Sequence, residues 1–222
     1  MSVKLISYSK GEKDESLQDI IAYTARVSNP SNQDNTETSE RLLRYLIREK
    51  HWSPFEMVSA CLEVTTTRDI ARQLLRHRSF SFQEFSQRYA DPTQDLNFIM
   101  RQARLQDTKN RQNSIELSNM MDSDERVDLE LNWYKQQAEV TNAAKKSYEW
   151  AIENGIAKEQ ARSVLPEGIM ESRLYVNGTI RSWIHYVDLR SGNGTQKEHI
   201  ELARACSTAL EPVFPMIKEF CH

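Results

Sequence analysis

The period of apolar and polar positions changes repeatedly along the chain, and each change marks an element. Val3-Lys4-Leu5-Ile6-Ser7-Tyr8 reads as a short strand, closed by the polar run Ser9 to Glu15. Ser16 is placed to cap a helix whose Leu17, Ile20, Ile21 and Thr24 share one face and which fades near Ser28-Asn29-Pro30. After the polar segment Ser31 to Thr38, Ser39 is the expected N-cap of a second helix. Its Leu42, Leu43, Leu46 and Ile47 recur at helical spacing as far as Lys50-His51. Pro54 forbids a continuous helix through His51-Trp52-Ser53-Pro54-Phe55-Glu56, so the chain must reverse there.

Val58, Ala60, Leu62 and Val64 then alternate with Ser59, Cys61, Glu63 and Thr65, the period of a half-buried strand. Thr67 is expected to cap a helix through Ile70, Ala71, Leu74 and Leu75, with Arg76-His77-Arg78 in its last turn. Residues 91 to 123 have no clean period, and the expectation is a substrate-facing loop with some helix. Val127, Leu131, Tyr134, Ala138, Thr141, Tyr148 and Ile152 form a narrow stripe on one long helix from Asp124 to Asn154, with Gly155 at its C′ position. Such a stripe serves as core or as a subunit contact.

A shorter helix, Lys158 to Val164, stops before Pro166, and Glu171 to Val176 reads as a strand. Thr179 opens a helix to Leu189: Ile180, Trp183, Ile184 and Val187 form one face, and Arg181, His185 and Asp188 lie on the other at i, i+4 and i+7. Gly192 and Gly194 break it, and Thr195-Gln196-Lys197-Glu198 reads as a capping box for a last main helix, Lys197 to Glu211. Pro212 and Pro215 interrupt the tail. Nothing repeats internally, and one domain over residues 1–222 accounts for the length.

Composition narrows the function classes. With 39% hydrophobic and 27% charged residues the chain reads as a soluble globular protein. The net charge of −3 attracts no polyanion globally, so phosphate recognition must come from arginines gathered locally. That argues against a general nucleic-acid binder and leaves a nucleotide site open. No run approaches the ~20 apolar residues of a membrane span, and the start lacks a signal-peptide pattern, so the expected location is the cytoplasm, or a host's cytoplasm for a viral chain. Cys61, Cys206 and Cys221 are too scattered for a disulfide framework or a zinc site and read as reduced thiols.

The candidate chemistry sits in Arg76 to Tyr89, where arginines, His77, Glu84 and serines are interleaved with phenylalanines. The mixture fits neither a core element nor an ordinary solvated loop. Surface stacking and charge opposing a helix dipole are the plain alternatives for such residues. There is no Gly-x-Gly-x-x-Gly and no Gly-Lys-Ser/Thr loop, so a bound dinucleotide would have to be held by side chains, and arginine forks are the available tool. A Ser/His hydrolase built on Ser86 and His77 is disfavoured: no serine sits in a nucleophile elbow, and an arginine-flanked imidazole is a poor base. His51, His77, His185, His199 and His222 show no metal-ligand spacing.

The run Arg76-His77-Arg78, with Ser86 and Arg88-Tyr89 behind it, resembles the signature of the flavin-dependent thymidylate synthases. Matching segments follow in the family's order: His51 to Glu56, Ala161-Arg162-Ser163-Val164-Leu165-Pro166, Gly178-Thr179-Ile180-Arg181 and Leu189-Arg190. Arg104 to Ser114 and Asn193-Gly194-Thr195-Gln196 look like a longer-loop subgroup found in some viruses and cyanobacteria.

The resemblance implies an α+β fold, a mixed or antiparallel sheet flanked by long helices, with a single domain per subunit. It also implies a homotetramer whose active sites lie between subunits. The implied reaction is reductive methylation of dUMP to dTMP, with 5,10-methylenetetrahydrofolate as carbon donor, NADPH as reductant, FAD as cofactor and no protein nucleophile. By position, Arg76, His77 and Arg78 would hold the flavin, with Arg76 also near the nucleotide. His51, Ser53, Glu84, Thr179, Ile180, Arg181 and His185 would supply further FAD contacts. Gln73, Glu84, Phe85, Ser86, Gln87 and Arg88 would surround dUMP, Arg162 would help hold it, and Arg190 would pair with the uracil ring as the catalytic residue. Two positions depart from the family's usual pattern: Met57 stands where a histidine is common, and His185 where some members carry asparagine. The competing class is a non-catalytic nucleotide- or RNA-binding module that stacks bases on the aromatic run.

Overall fold

The structure is a computed structural model and describes residues 1–192 and 194–222; Asn193, part of one matching loop, lies outside the described residues. In chain order the elements are β1 (Ser2–Tyr8), α1 (Leu17–Ala25), α2 (Ser39–Arg48), β2 (Ser59–Thr67), α3 (Arg68–Leu74), β3 (Ser81–Glu84) and α4 (Pro92–Asp95). Then come β4 (Arg104–Gln106), β5 (Ser114–Glu116), α5 (Ser123–Glu153), α6 (Lys158–Ala161), β6 (Glu171–Thr179), α7 (Ile180–Ser191) and α8 (Lys197–Leu210). Short 3-10 turns include Ser53–Glu56 and Arg162–Val164.

The fold is α+β, built on a fully antiparallel sheet of order β1-β2-β6-β3. The expected alternation holds: Ala60, Leu62 and Val64 of β2 and Leu174 and Val176 of β6 are buried, as strand geometry requires of every second residue. They pack against the apolar face of α7, where Ile180, Trp183, Ile184 and Val187 are also buried. Trp183 fixes that layer by donating its Nε1–H to the Ala60 carbonyl at 3.0 Å. Thr179 caps α7 as expected, accepting from the Ser182 amide, and Gly155 ends α5 with φ +75°, the left-handed conformation glycine adopts at little cost.

Several local expectations fail in detail. Ser39 is the first residue of α2 and donates its hydroxyl to Asp19 at 2.7 Å, while Thr38 takes the N-cap position. Thr67 does occupy the N-cap position of α3, but its hydroxyl donates to Asp69 at 2.5 Å and makes no cap bond to the helix amides. The capping box before α8 does not form, because the Glu198 carboxylate is taken by Arg104 at 2.5 Å. Helix α3 stops at Leu74, so Arg76-His77-Arg78 follow it as a turn.

The 91–123 segment contains the short helix α4, but its centre is a hairpin, with Arg104 opposite Glu116 and Gln106 opposite Ser114. The stripe on α5 divides: Thr141 and Tyr148 are buried, whereas Val127, Leu131 and Tyr134 are exposed.

Candidate active site

The motif runs from the end of α3 through β3 to the turn at Tyr89, and the sheet fixes its middle. Ser81 pairs with Asn177 and Glu84 with Leu174, which sets β3 beside the strand that leads into α7. Phe80 packs over Gly178 and against Trp183, its ring centroid 4.5 Å away, and so holds the motif's front end on the helix.

Arg190, in the last turn of α7, donates Nε–H to His77 Nε2 at 3.0 Å. An arginine nitrogen only donates, so that ring nitrogen is the acceptor of a neutral imidazole. Burial, and then the Arg190 charge, push His77 down to about 4, consistent with that state. Behind the pair stand Tyr186, edge-on to His77 at 5.0 Å between centroids, and the fully buried His199. Gln73 joins this group: its Oε1 lies 3.1 Å from His199 Nδ1, and its Nε2 donates to Gln196 at 2.8 Å.

A second group forms at the start of α7, against the Ser53–Glu56 turn. Arg181 pairs with Glu56 at 2.7 Å, and His185 meets the Trp52 ring edge-on at 4.6 Å. Ser53 is exposed in that turn, and His51 just before it lies against Tyr45. Thr179 and buried Ile180 open the helix beside them. Burial, and then the Arg181 charge, lower the His185 pKa.

The motif's far end is tied to α6. Arg88 pairs with Glu159 at 3.1 Å, Lys158 donates to the Tyr89 carbonyl at 3.1 Å, and Arg162 Nε donates to the Glu159 carbonyl at 3.3 Å. Ser86 sits between, its hydroxyl 3.4 Å from the Arg88 amide, and Gln87 is buried with its Nε2 unpartnered among the described residues. Phe85 is half-buried and donates its amide to the Arg173 carbonyl. Glu84 accepts from the Ser172 hydroxyl at 2.7 Å and lies 3.4 Å from Arg68.

Two groups lie on the motif, His77 with Arg190 and Gln73 at its front and Ser86 with Arg88, tied through Glu159 to Arg162, at its far end; Ser53, Arg181 and His185 form a third at the start of α7. Arg76 and Arg78 are exposed and have no ion-pair partner among the described residues. Such unneutralised guanidinium forks have the geometry to bind phosphate oxygens.

Comparison with known proteins decides the family. The family model described as thymidylate synthase complementing protein matches residues 4–216. The chain is 48% identical over 219 residues to the probable flavin-dependent thymidylate synthase of Paramecium bursaria Chlorella virus 1, covering 98% of this chain and 97% of that protein. The chain belongs to the flavin-dependent thymidylate synthase family. The flavin-dependent thymidylate synthase of Synechocystis sp. is likewise 48% identical, over 223 residues, covering 98% of this chain and 97% of that protein. Two crystal structures of a UMP/dUMP methylase from Streptomyces cacaoi, bound with 5-Br dUMP and with 5-Br UMP, share the fold at TM-scores of 0.78 and 0.79 and identities of 25% and 26%. Each covers 99% of this chain, and the chain covers 93% and 92% of theirs.

The sequence gives His199, Gln196, Tyr186 and Glu56 no site role, and the fold sets them directly behind or beside the expected residues. Metal-ligand spacing is no guide to His199. Its place on the buried face of α8, among Leu202, Ala203 and Cys206, was the available signal.

Proposed function

We propose that the chain makes dTMP from dUMP by reductive methylation, taking the carbon from 5,10-methylenetetrahydrofolate and the reducing equivalents from NADPH through FAD, with no protein nucleophile. The reading is carried by the bond between Arg190 Nε and His77 Nε2, which ties the end of α7 to the motif and leaves both Nη groups of Arg190 without a partner among the described residues. Bound FAD supplies the hydride that reduces the transferred carbon.

The chain's own work is binding and charge stabilisation. Arg190 faces the uracil ring and stabilises negative charge developing at N3 and the carbonyl oxygens as C5 becomes nucleophilic. Ser86, Gln87, Arg88 and Arg162 hold dUMP, and Arg76, Arg78, Arg181, His185, Ser53 and His51 hold FAD. Cysteine chemistry is poorly served: burial raises the Cys61 and Cys206 thiols, and it is the thiolate that attacks. Among the described residues no acid or base bonds the Ser86 hydroxyl, whose one partner is the Arg88 amide.

A homotetramer with sites completed between subunits fits the exposed apolar side chains of α5, among them Val127, Leu131, Trp133 and Trp150, and the open placement of the three clusters in one subunit. No helix among the described residues is long and apolar enough to cross a membrane, and we place the enzyme in the cytoplasm, a host's for a viral chain. The test is reconstitution with FAD, followed by release of the C5 proton of dUMP and dTMP formation when all four small molecules are present. A preparation that stays colourless and releases no proton refutes the reading.

A further inference from the structure

His199, the ring behind the Arg190–His77 pair, is wired to the β4–β5 hairpin by hydrogen bonds whose direction is fixed. Arg104 of β4 holds the Glu198 carboxylate at 2.5 Å, and Arg101 lies 3.4 Å from the same oxygen. Burial would raise the Glu198 pKa, but the bonds from Arg104, its own backbone amide and Gln196, with the Arg101 charge, bring it below the ordinary value. Glu198 is thus a carboxylate and only accepts, so Gln196 must present its Nε2, 2.9 Å away. Gln196 Oε1 then accepts from Gln73 Nε2 at 2.8 Å, which turns Gln73 Oε1 toward His199 Nδ1 at 3.1 Å. An amide oxygen only accepts, so His199 carries its proton on Nδ1.

The fixed ring has no exposure to solvent, and its Nε2 has no partner among the described residues. Its centroid lies 6.3 Å from that of His77, at right angles, and 5.7 Å from that of Tyr186. Its charge state matters to the pair, because a second cation behind His77 would repel Arg190 in a site of low dielectric. Burial, and then the Arg190 charge, lower His199 to about 3.

We infer that His199 is a positioning residue for Arg190: the relay Arg104–Glu198–Gln196–Gln73 sets its proton on Nδ1, and the ring so fixed backs the His77 imidazole that holds the Arg190 guanidinium. The inference rests on the role proposed for Arg190. It assigns the hairpin a task, because the carboxylate that sets the direction of every later bond is anchored by Arg104.

The test uses the full chain with FAD and nitrogen-15-labelled histidine at neutral pH, together with His199→Phe and His199→Asn. Phe keeps a ring in place and removes the donor; Asn returns a donor near the Nδ1 position. The expected results are a His199 signal protonated at Nδ1 alone, a kcat lowered on the order of 10- to 100-fold in His199→Phe with the KM for dUMP little changed, and recovery of most of that loss in His199→Asn. A parent His199 protonated at Nε2, a His199→Phe variant with parental kcat, or an Asn variant as impaired as Phe each overturns the inference. A parent protein that makes no dTMP sinks the proposed activity, and the positioning role with it, while leaving the proton placement to the nitrogen signals.

Discussion

Arg190 and His77 lie 113 residues apart in sequence and meet through one hydrogen bond of 3.0 Å, from the guanidinium Nε to the imidazole Nε2. The bond fixes the ring as a neutral acceptor and holds the guanidinium at its stem, so the two terminal nitrogens remain for a ligand.

Arg190→Ala removes a positioned cation from the charge that develops on uracil. We expect turnover to fall by about 10² or more with little loss of folding, read by C5 proton release and by thermal melting. The same variant should raise the His77 pKa from about 4 without restoring the ordinary 6.5, because burial is the larger of its two causes. An NMR titration of the ring checks both the direction and the shortfall.

Ser86→Ala tests the absence of a serine nucleophile. The hydroxyl has one weak partner, the Arg88 amide at 3.4 Å, so its removal should weaken dUMP binding and leave measurable turnover. Complete loss of dTMP formation with dUMP binding intact would point to covalent chemistry at this residue.

At Gly178 a methyl group would meet the Phe80 ring at 2.2 Å, and Phe80 is wedged against Trp183, Tyr186 and Phe82. Gly178→Ala should therefore cost about 1–3 kcal/mol of stability, as overpacked cores do, and should also impair flavin binding by displacing the start of the motif. Chemical denaturation and a flavin titration measure the two effects separately.

Arg181→Ala breaks the pair with Glu56, which is more than a third exposed on both sides and so contributes only about 0–1 kcal/mol. A normal melting temperature with weakened FAD affinity is the expected combination. Normal affinity would remove Arg181 from the flavin site.

Acidification should destabilise the protein through the half-buried His77 and the buried His199. His77 and His199 have folded values of about 4 and about 3, below the ordinary 6.5, so the unfolded chain binds their protons first. Their contribution is complete above the unfolded value and is lost as pH falls through 6.5 toward about 4 and about 3. Melting temperatures between about pH 7 and about pH 5 should show a positive slope that is shallower in His199→Asn, which lacks one of the two groups.

The sequence by itself determined the strands and helices whose periods are strong. The alternation from Val58 to Val64 and the apolar face Ile180, Trp183, Ile184 and Val187 are buried as their spacing requires, because burial of one face is what each pattern exists to achieve. It also determined the family, since Arg76 to Tyr89 and its companion segments are read in order along the chain. Caps were less legible: Ser39, Thr67 and Glu198 have the right chemistry for helix ends but bond Asp19, Asp69 and Arg104 instead. A charged side chain that the fold brings up orients a hydroxyl or a carboxylate away from the helix end, and spacing alone does not reveal it.

Only the tertiary structure decided which groups work together. The sheet brings β3 beside β6 and so delivers His77 to Arg190, and the hairpin carries Arg104 to Glu198, 94 residues away. Hydrogen-bond direction, the protonation of buried rings and the unneutralised state of an arginine all depend on what stands within about 3 Å, which is a property of the packed chain and not of its order.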